Sequence, residues 1–220
     1  MEREVPDRKL TDVFLRGQRN YIQGTQIVCR AAEFLGDPEA VLTECKFSDI
    51  TENLVSFSLD KPQSAIGSVG FISGAGDRKI VYVIDQGTPA KRNDAPMHIE
   101  VVSYETSDTP DTAHCHVRCH NNFESILNAI VQAVKLHQKE SYGDITDNWF
   151  TGLRRVSLPL SLISEKSQPS PDNEHIDFSI IIELERRFSG NEINNAIYKL
   201  SPLQTDANSP AKGYITFSYR

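Results

Sequence analysis

Residues 121–137, NNFESILNAIVQAVKLH, decide the reading of this chain. Phe123, Ile126, Leu127, Ile130, Val131 and Val134 recur at helical spacing, so the stretch predicts a helix with one apolar face. Asn121 is placed to cap its start, with Glu124 three residues on in a capping-box arrangement. Lys135, His137 and Lys139 stand near its end, where cations suit the helix dipole. The run HCHVRCH (114–120) precedes it, and strand-like segments follow. A fainter copy of the same order starts at Tyr21: GTQIVCRAAEFLG (24–36) reads as a second helix, with Gly36 as its stop and Pro38 just beyond.

After the first helix, 40–47, 53–59, 68–73 and 78–85 are β-prone, and GAGD (74–77) predicts a hairpin between the last two. Residues 86–96 read as a loop and 97–104 as another strand. SDTPDT (107–112) reads as a link between two halves. In the second half, the alternation in LRRVSLPLSLI (153–163) predicts a strand, and Pro159 puts it at an edge or a bulge. HIDFSIIIELERRF (175–188) alternates most clearly, with Ile176, Phe178, Ile180, Ile182, Leu184 and Phe188 on one face. Each half is thus a helix followed by antiparallel-looking strands joined by short loops, which favours hairpins over crossovers.

Composition sets the bounds. The chain has 220 residues and a net charge of -7, so neither nucleic acid nor an anionic membrane is an expected partner. No apolar run is long enough to span a bilayer, and the charged N-terminus lacks a secretory core, which makes the cytoplasm the expected location. The cysteines, Cys29, Cys45, Cys115 and Cys119, are expected to be reduced thiols.

Two windows carry a family resemblance. YIQGTQIVC (21–29) and HNNFESILNAIVQA (120–133) keep the spacing of the His, Gly and acid motif on the central helix of hot-dog dehydratases of fatty-acid synthesis. Tyr21 or His120 stands at the His position, Gly24 or Phe123 at the Gly, and Cys29 or Asn128 at the acid. NAIVQA is similar to the run that follows the acid in those enzymes. The chain therefore resembles a tandem (double) hot-dog: an α+β fold with two long helices, each wrapped by a curved antiparallel sheet, in units 1–105 and 106–220. The resemblance implies an acyl thioester of coenzyme A or a carrier protein as substrate or partner, and dehydration, hydrolysis or acyl transfer as the reaction. It implies no cofactor and is compatible with a homodimer. Because sites in paired hot-dogs form between units, it pairs His120 with Cys29 and Tyr21 with Asn128 as catalytic groups.

Each residue also has a plainer reading. Cys29 sits among Ile27, Val28, Ala31 and Ala32, where a thiol is ordinarily an inert core group; activated by an imidazole it would be a nucleophile. Asn128, with Gln132 one turn on, either orients a carbonyl or satisfies nearby backbone. Neither half keeps both His and acid, which favours the alternative of a non-catalytic module binding an acyl ligand or a protein partner. HCHVRCH contains metal-ligating types, but a strand would send Cys115, Val117 and Cys119 one way and His114, His116, Arg118 and His120 the other; no metal site is expected. GSVGFISGAGDR (67–78) lacks the Lys-Ser/Thr ending of a phosphate loop. Glu33, Asp49 and Asp85 have no pattern that singles them out. Trp149 and Phe150 are expected in the core or on a pocket wall.

Overall fold

A computed structural model describes residues 13, 15, 22–93, 99–107, 109–143, 145, 147–160, 175–190, 193–202 and 212–220. In chain order the elements are α1 (Gly24–Leu35), β1 (Val41–Phe47), β2 (Asn53–Ser58), β3 (Gly67–Ile72), β4 (Arg78–Pro89), β5 (Ile99–Thr106), β6 (Thr112–His120), α2 (Phe123–Tyr142), β7 (Asn148–Pro159), β8 (His175–Phe188), β9 (Asn194–Pro202) and β10 (Gly213–Tyr219).

The strands form one antiparallel sheet in the order β2-β4-β3-β1-β7-β10-β9-β8-β6-β5. At its middle, β1 pairs with β7, so the first strand after each helix meets its counterpart. Outward from that seam the strands run β1-β3-β4-β2 on one side and β7-β10-β9-β8 on the other. In both runs the second strand lies farthest from the seam with a strand pair between, and the third and fourth strands have exchanged places; beyond β8 the sheet continues through β6 to β5.

Both helices lie against this sheet and touch each other. α1 packs on β2, β4 and β7, and α2 on β5, β6 and β7. One continuous core results, with Leu42, Phe57, Phe71, Phe123, Ile126, Leu127, Phe178, Ile180, Ile182, Tyr198 and Phe217 almost fully buried. Burying an aliphatic or phenyl side chain of this size contributes about 1.5–3 kcal/mol. Register shifts in β1 between Leu42 and Glu44, and in β10 between Thr216 and Phe217, flank the seam. Such bulges bend a strand and increase its twist. On β7, opposite the β1 shift, Arg155 takes φ 55°, a rare value for a side-chain-bearing residue.

The helix ends follow local chemistry. Gly36 closes α1 at φ 67°, ψ 21°, and its N–H reaches Ala32 O. Left-handed backbone of this kind strains any residue with a Cβ. α2 differs from expectation at both ends. Its cap is Asn122, not Asn121: Asn122 Oδ1 accepts from Ser125 N at 2.8 Å. It also continues past His137 to Tyr142, because Val134, His137 and Gln138 are buried and the core extends beneath that turn.

β7 is central, not an edge, but the bulge that Pro159 equally suggested is present: pairing with β1 shifts register between Arg154 and Leu158, and Pro159 itself is the strand's last residue. Phe188 is exposed, because a shift between Leu184 and Arg186 breaks the alternation of β8. Residues 107–112 span the β5–β6 turn and the start of β6, with Ser107 N donating to Thr112 O at 3.0 Å. β4 also runs into the expected 86–96 loop, as far as Pro89. SEKSQPSPDNE (164–174), whose composition reads as a loop, lies outside the described residues, as does most of DVFLRGQRNY (12–21), which reads as a short strand and turn.

Candidate functional site at the α1–α2 crevice

α1 begins without a side-chain cap, at Gln23, and has no acidic residue in its first turn. The first N–H groups of a helix lack acceptors within it and carry partial positive charge. This terminus meets the flank of α2 in a crevice lined by Gln23, Gly24, Thr25, Val131, Gln132, Lys135 and Phe150. Its volume is about 20 Å3, room for about one water-sized group.

Close packing sets the approach. A Cβ on Gly24 would stand 2.8 Å from Phe150 Cδ1 and 2.9 Å from Phe47 Cε2, so Gly lets α1 seat against those rings. Phe150 meets Phe47 and Phe217 edge-on, each with centroids 6.1 Å apart. Lys135 donates from Nζ to Asn148 O at 3.2 Å, with the ammonium 6.0 Å from the Phe217 ring centre. Thr25 is 2% exposed, and its Oγ1 has no hydrogen-bond partner among the described residues. A buried hydroxyl left unpaired costs about 1–3 kcal/mol unless something satisfies it.

The four sequence-derived candidates fall in different settings. Tyr21 lies outside the described residues. Cys29 is a buried thiol in α1, outside any disulfide and within the common core. Asn128 is 1% exposed, and its Nδ2 donates to Glu124 O at 2.8 Å, one turn back in its own helix. His120 ends β6 on the row shared with His114, His116 and Arg118, while Ala113, Cys115, Val117 and Cys119 alternate into the core. The His120 ring stacks on His175 of β8, with centroids 4.7 Å apart. From the second window, Val131 and the polar Gln132, one turn beyond Asn128, line the crevice.

Sequence reasoning missed a polar cluster under the C-terminal half of α2. His137 is fully buried; its Nδ1 lies 3.1 Å from Tyr104 Oη and 3.2 Å from Ser141 Oγ. Burial lowers its pKa, partly offset by Asp111. Among the described residues, His137 Nε2, Gln138 Nε2, Tyr198 Oη and Tyr219 Oη are buried without a hydrogen-bond partner at bonding distance, although the Gln138 side chain lies near enough to Tyr198 to lower its pKa. Burial outweighs this and raises the Tyr198 pKa. The signal available in sequence was the polar pair His137–Gln138 on an otherwise apolar helix face.

The remaining titratable groups have structural roles. Burial tends to raise the Asp85 pKa, but hydrogen bonds from Thr51, the Gly87 amide and Asn53 outweigh it and hold the carboxyl below its ordinary range. Burial pushes the thiol of Cys45 up, that of Cys115 up to about 12 and that of Cys119 up to about 11. Among the described residues no group of three or more His, Cys, Asp and Glu side chains is placed to hold a metal ion. Trp149 is half-buried and lines a larger cavity, about 950 Å3, on the sheet face away from the helices; Phe150 is core. No described helix is long and apolar enough to cross a membrane.

No family model matches the chain, and no curated protein is similar to it. Among solved structures it is similar to the tesB protein of Mycobacterium avium subs paratuberculosis, at 11% identity and TM-score 0.47, over 94% of this chain and 91% of that one. It is also similar to the bifunctional dehydratase-cyclase domain in ambruticin biosynthesis, at 14% identity and TM-score 0.41, over 91% and 81%. A third is a conserved protein of unknown function with a hot-dog fold from Alicyclobacillus acidocaldarius, at 11% identity and TM-score 0.43, over 91% and 86%.

Proposed function

We propose that this chain is a double hot-dog protein, with units 1–105 and 106–220, that hydrolyses an acyl thioester of coenzyme A or a carrier protein at the α1–α2 crevice. The repeated helix-then-strands order and the β1–β7 seam support the two units; β5, from the first, reaches over to pair with β6 of the second.

The observation that carries the chemistry is Thr25 Oγ1, without a hydrogen-bond partner among the described residues, beside the N-terminus of α1, which no side chain caps. A thioester carbonyl placed there would accept from the first-turn N–H groups and from Thr25. Those donors oppose the negative charge that grows on the oxygen during attack. Gln132 would orient the water. Water adds to the carbonyl carbon, the C–S bond breaks, and the proton from water ends on the departing sulfur. Dehydration demands more: a base to remove a proton and an acid to protonate the leaving oxygen. The described crevice residues include neither imidazole nor carboxylate.

A second reading, the non-catalytic module, is favoured by the crevice volume of about 20 Å3 and by Asn128 donating to its own helix. A panel of acyl-CoA and acyl-carrier substrates separates the two. Release of free thiol above background supports hydrolysis; saturable binding without release supports the module; neither sinks both.

A further inference from the structure

The sheet face away from the helices carries the 950 Å3 cavity, and its lining departs from the acidic character of the chain. Lys46, Arg78, Arg154 and Arg220 border it, against the carboxylates Glu44 and Asp49. The register explains the hollow. Across the sheet, Tyr82 of β4 faces Ser68 of β3, Ser68 faces Lys46 of β1, Lys46 faces Gly152 of β7, and Gly152 faces Thr216 of β10. Lys46 is thus a long side chain between small ones. In the next row Glu44 lies between Gly70 and Arg154.

The cations are not equivalent. Arg78 is bonded to Glu44, and the Arg220 guanidinium stands 5.8 Å from the centre of the Trp149 ring. Lys46 and Arg154 are exposed and make no side-chain hydrogen bond or ion pair among the described residues. They are diagonal neighbours on paired strands, a separation of about 7–8 Å between such backbone positions. Two unpaired cations at that spacing match the charge of a phosphate monoester, about -1.5 to -2 at neutral pH. Trp149, on the same wall, offers a flat π-face.

We propose that this outer-face groove binds a phosphate ester carrying a planar ring, mononucleotide in size, with the phosphate between Lys46 and Arg154 and the ring on Trp149. The volume lies within the roughly 300–1,000 Å3 of small-molecule sites. This site is independent of the α1–α2 crevice and does not rest on thioester chemistry.

Trp149 is the only tryptophan in the chain, so its fluorescence reports on the groove directly. The full chain is titrated with AMP, adenosine and inorganic phosphate, in wild type and in Lys46→Ala and Arg154→Ala, with circular dichroism confirming the fold of each. AMP is expected to change the Trp149 emission saturably, and adenosine at least about ten-fold more weakly, the loss expected for a charged hydrogen bond. Each variant should weaken AMP binding about ten-fold, and added salt should weaken it in wild type. Trp149→Phe, followed by calorimetry, should bind AMP less tightly. No saturable response to AMP at millimolar concentration overturns the proposal. So does AMP affinity that both variants leave unchanged, or a groove closed by a second copy, seen as a dimer that Lys46→Glu dissociates while AMP has no effect.

Discussion

Tyr198 of β9 and His137 of α2 meet edge to face beneath the last turns of the helix, with ring centroids 5.8 Å apart and planes at 78°. Both side chains are 0% exposed, and among the described residues His137 Nε2 and Tyr198 Oη lack a hydrogen-bond partner. The imidazole is therefore held neutral by burial. Its folded-state pKa lies below the ordinary 6.5, so below that pH the unfolded chain binds more protons than the folded one. Stability should be fully present above pH 6.5 and fall as pH drops through and below it. Urea midpoints across pH 4.5–8, about the span in which only histidine ordinarily titrates, should decline on the acid side in wild type and decline less in His137→Gln. Equal slopes would mean that another group dominates. Asp85 works in a separate, lower window, below its ordinary 3.8. His137→Gln is chosen over His137→Ala because the smaller side chain would empty a fully buried core position.

The thiols provide a second test. All four cysteines are buried and outside any disulfide, and a thiol reacts as its thiolate. With Cys45, Cys115 and Cys119 held protonated by burial, a thiol reagent at neutral pH should label none of the four until denaturant unfolds the chain. Rapid labelling of any one in the native protein would contradict its burial.

Adjacent asparagines test the start of α2. Asn122→Ala removes the bond to Ser125 N and should cost about 1 kcal/mol, as lost caps do. Asn121→Ala should stay within about 0.5 kcal/mol, as ordinary surface changes do. The reverse order in urea denaturation would place the cap at Asn121.

Gly24→Ala probes how closely α1 seats against the sheet. The added methyl would lie 2.8 Å from Phe150 Cδ1, and overpacking of this kind costs about 1–3 kcal/mol. Adding Phe47→Leu, which removes a second clashing ring, should recover part of that loss in thermal melts. A stable Gly24→Ala protein would show that the crevice is looser than described.

How much of this was legible beforehand depended on whether a feature is local. The apolar periodicity around Ile126 and Ile130 and the Gly36 stop belong to single helices, and both emerge as read. The alternation of β6 likewise separates Cys115 from His116 without outside information. The position of β7 was not local: Pro159 argued for an edge or a bulge, and pairing with β1 and β10 makes the strand central, with a register shift just before the proline. Asn122 displaced Asn121 as cap because backbone geometry, not residue type, chooses between neighbours. For the proposed site, the motif window points to the helix that borders the crevice but singles out Asn128, whose amide folds back on Glu124. Thr25 carried no motif signal at all; only its burial without a hydrogen-bond partner among the described residues singles it out.

Thr25→Val tests the central claim most directly, because it keeps side-chain shape and removes only the hydroxyl. Removing an unpaired buried polar atom relieves a cost of about 1–3 kcal/mol, so the variant should melt higher than wild type. If Thr25 Oγ1 donates to a thioester oxygen in the transition state, kcat for acyl-thioester hydrolysis should fall by about 10²–10³, the usual loss of one such donor, while Thr25→Ser retains most of it. Greater stability with lost turnover is the predicted result; unchanged kcat in Thr25→Val would contradict the assignment of thioester chemistry to this crevice.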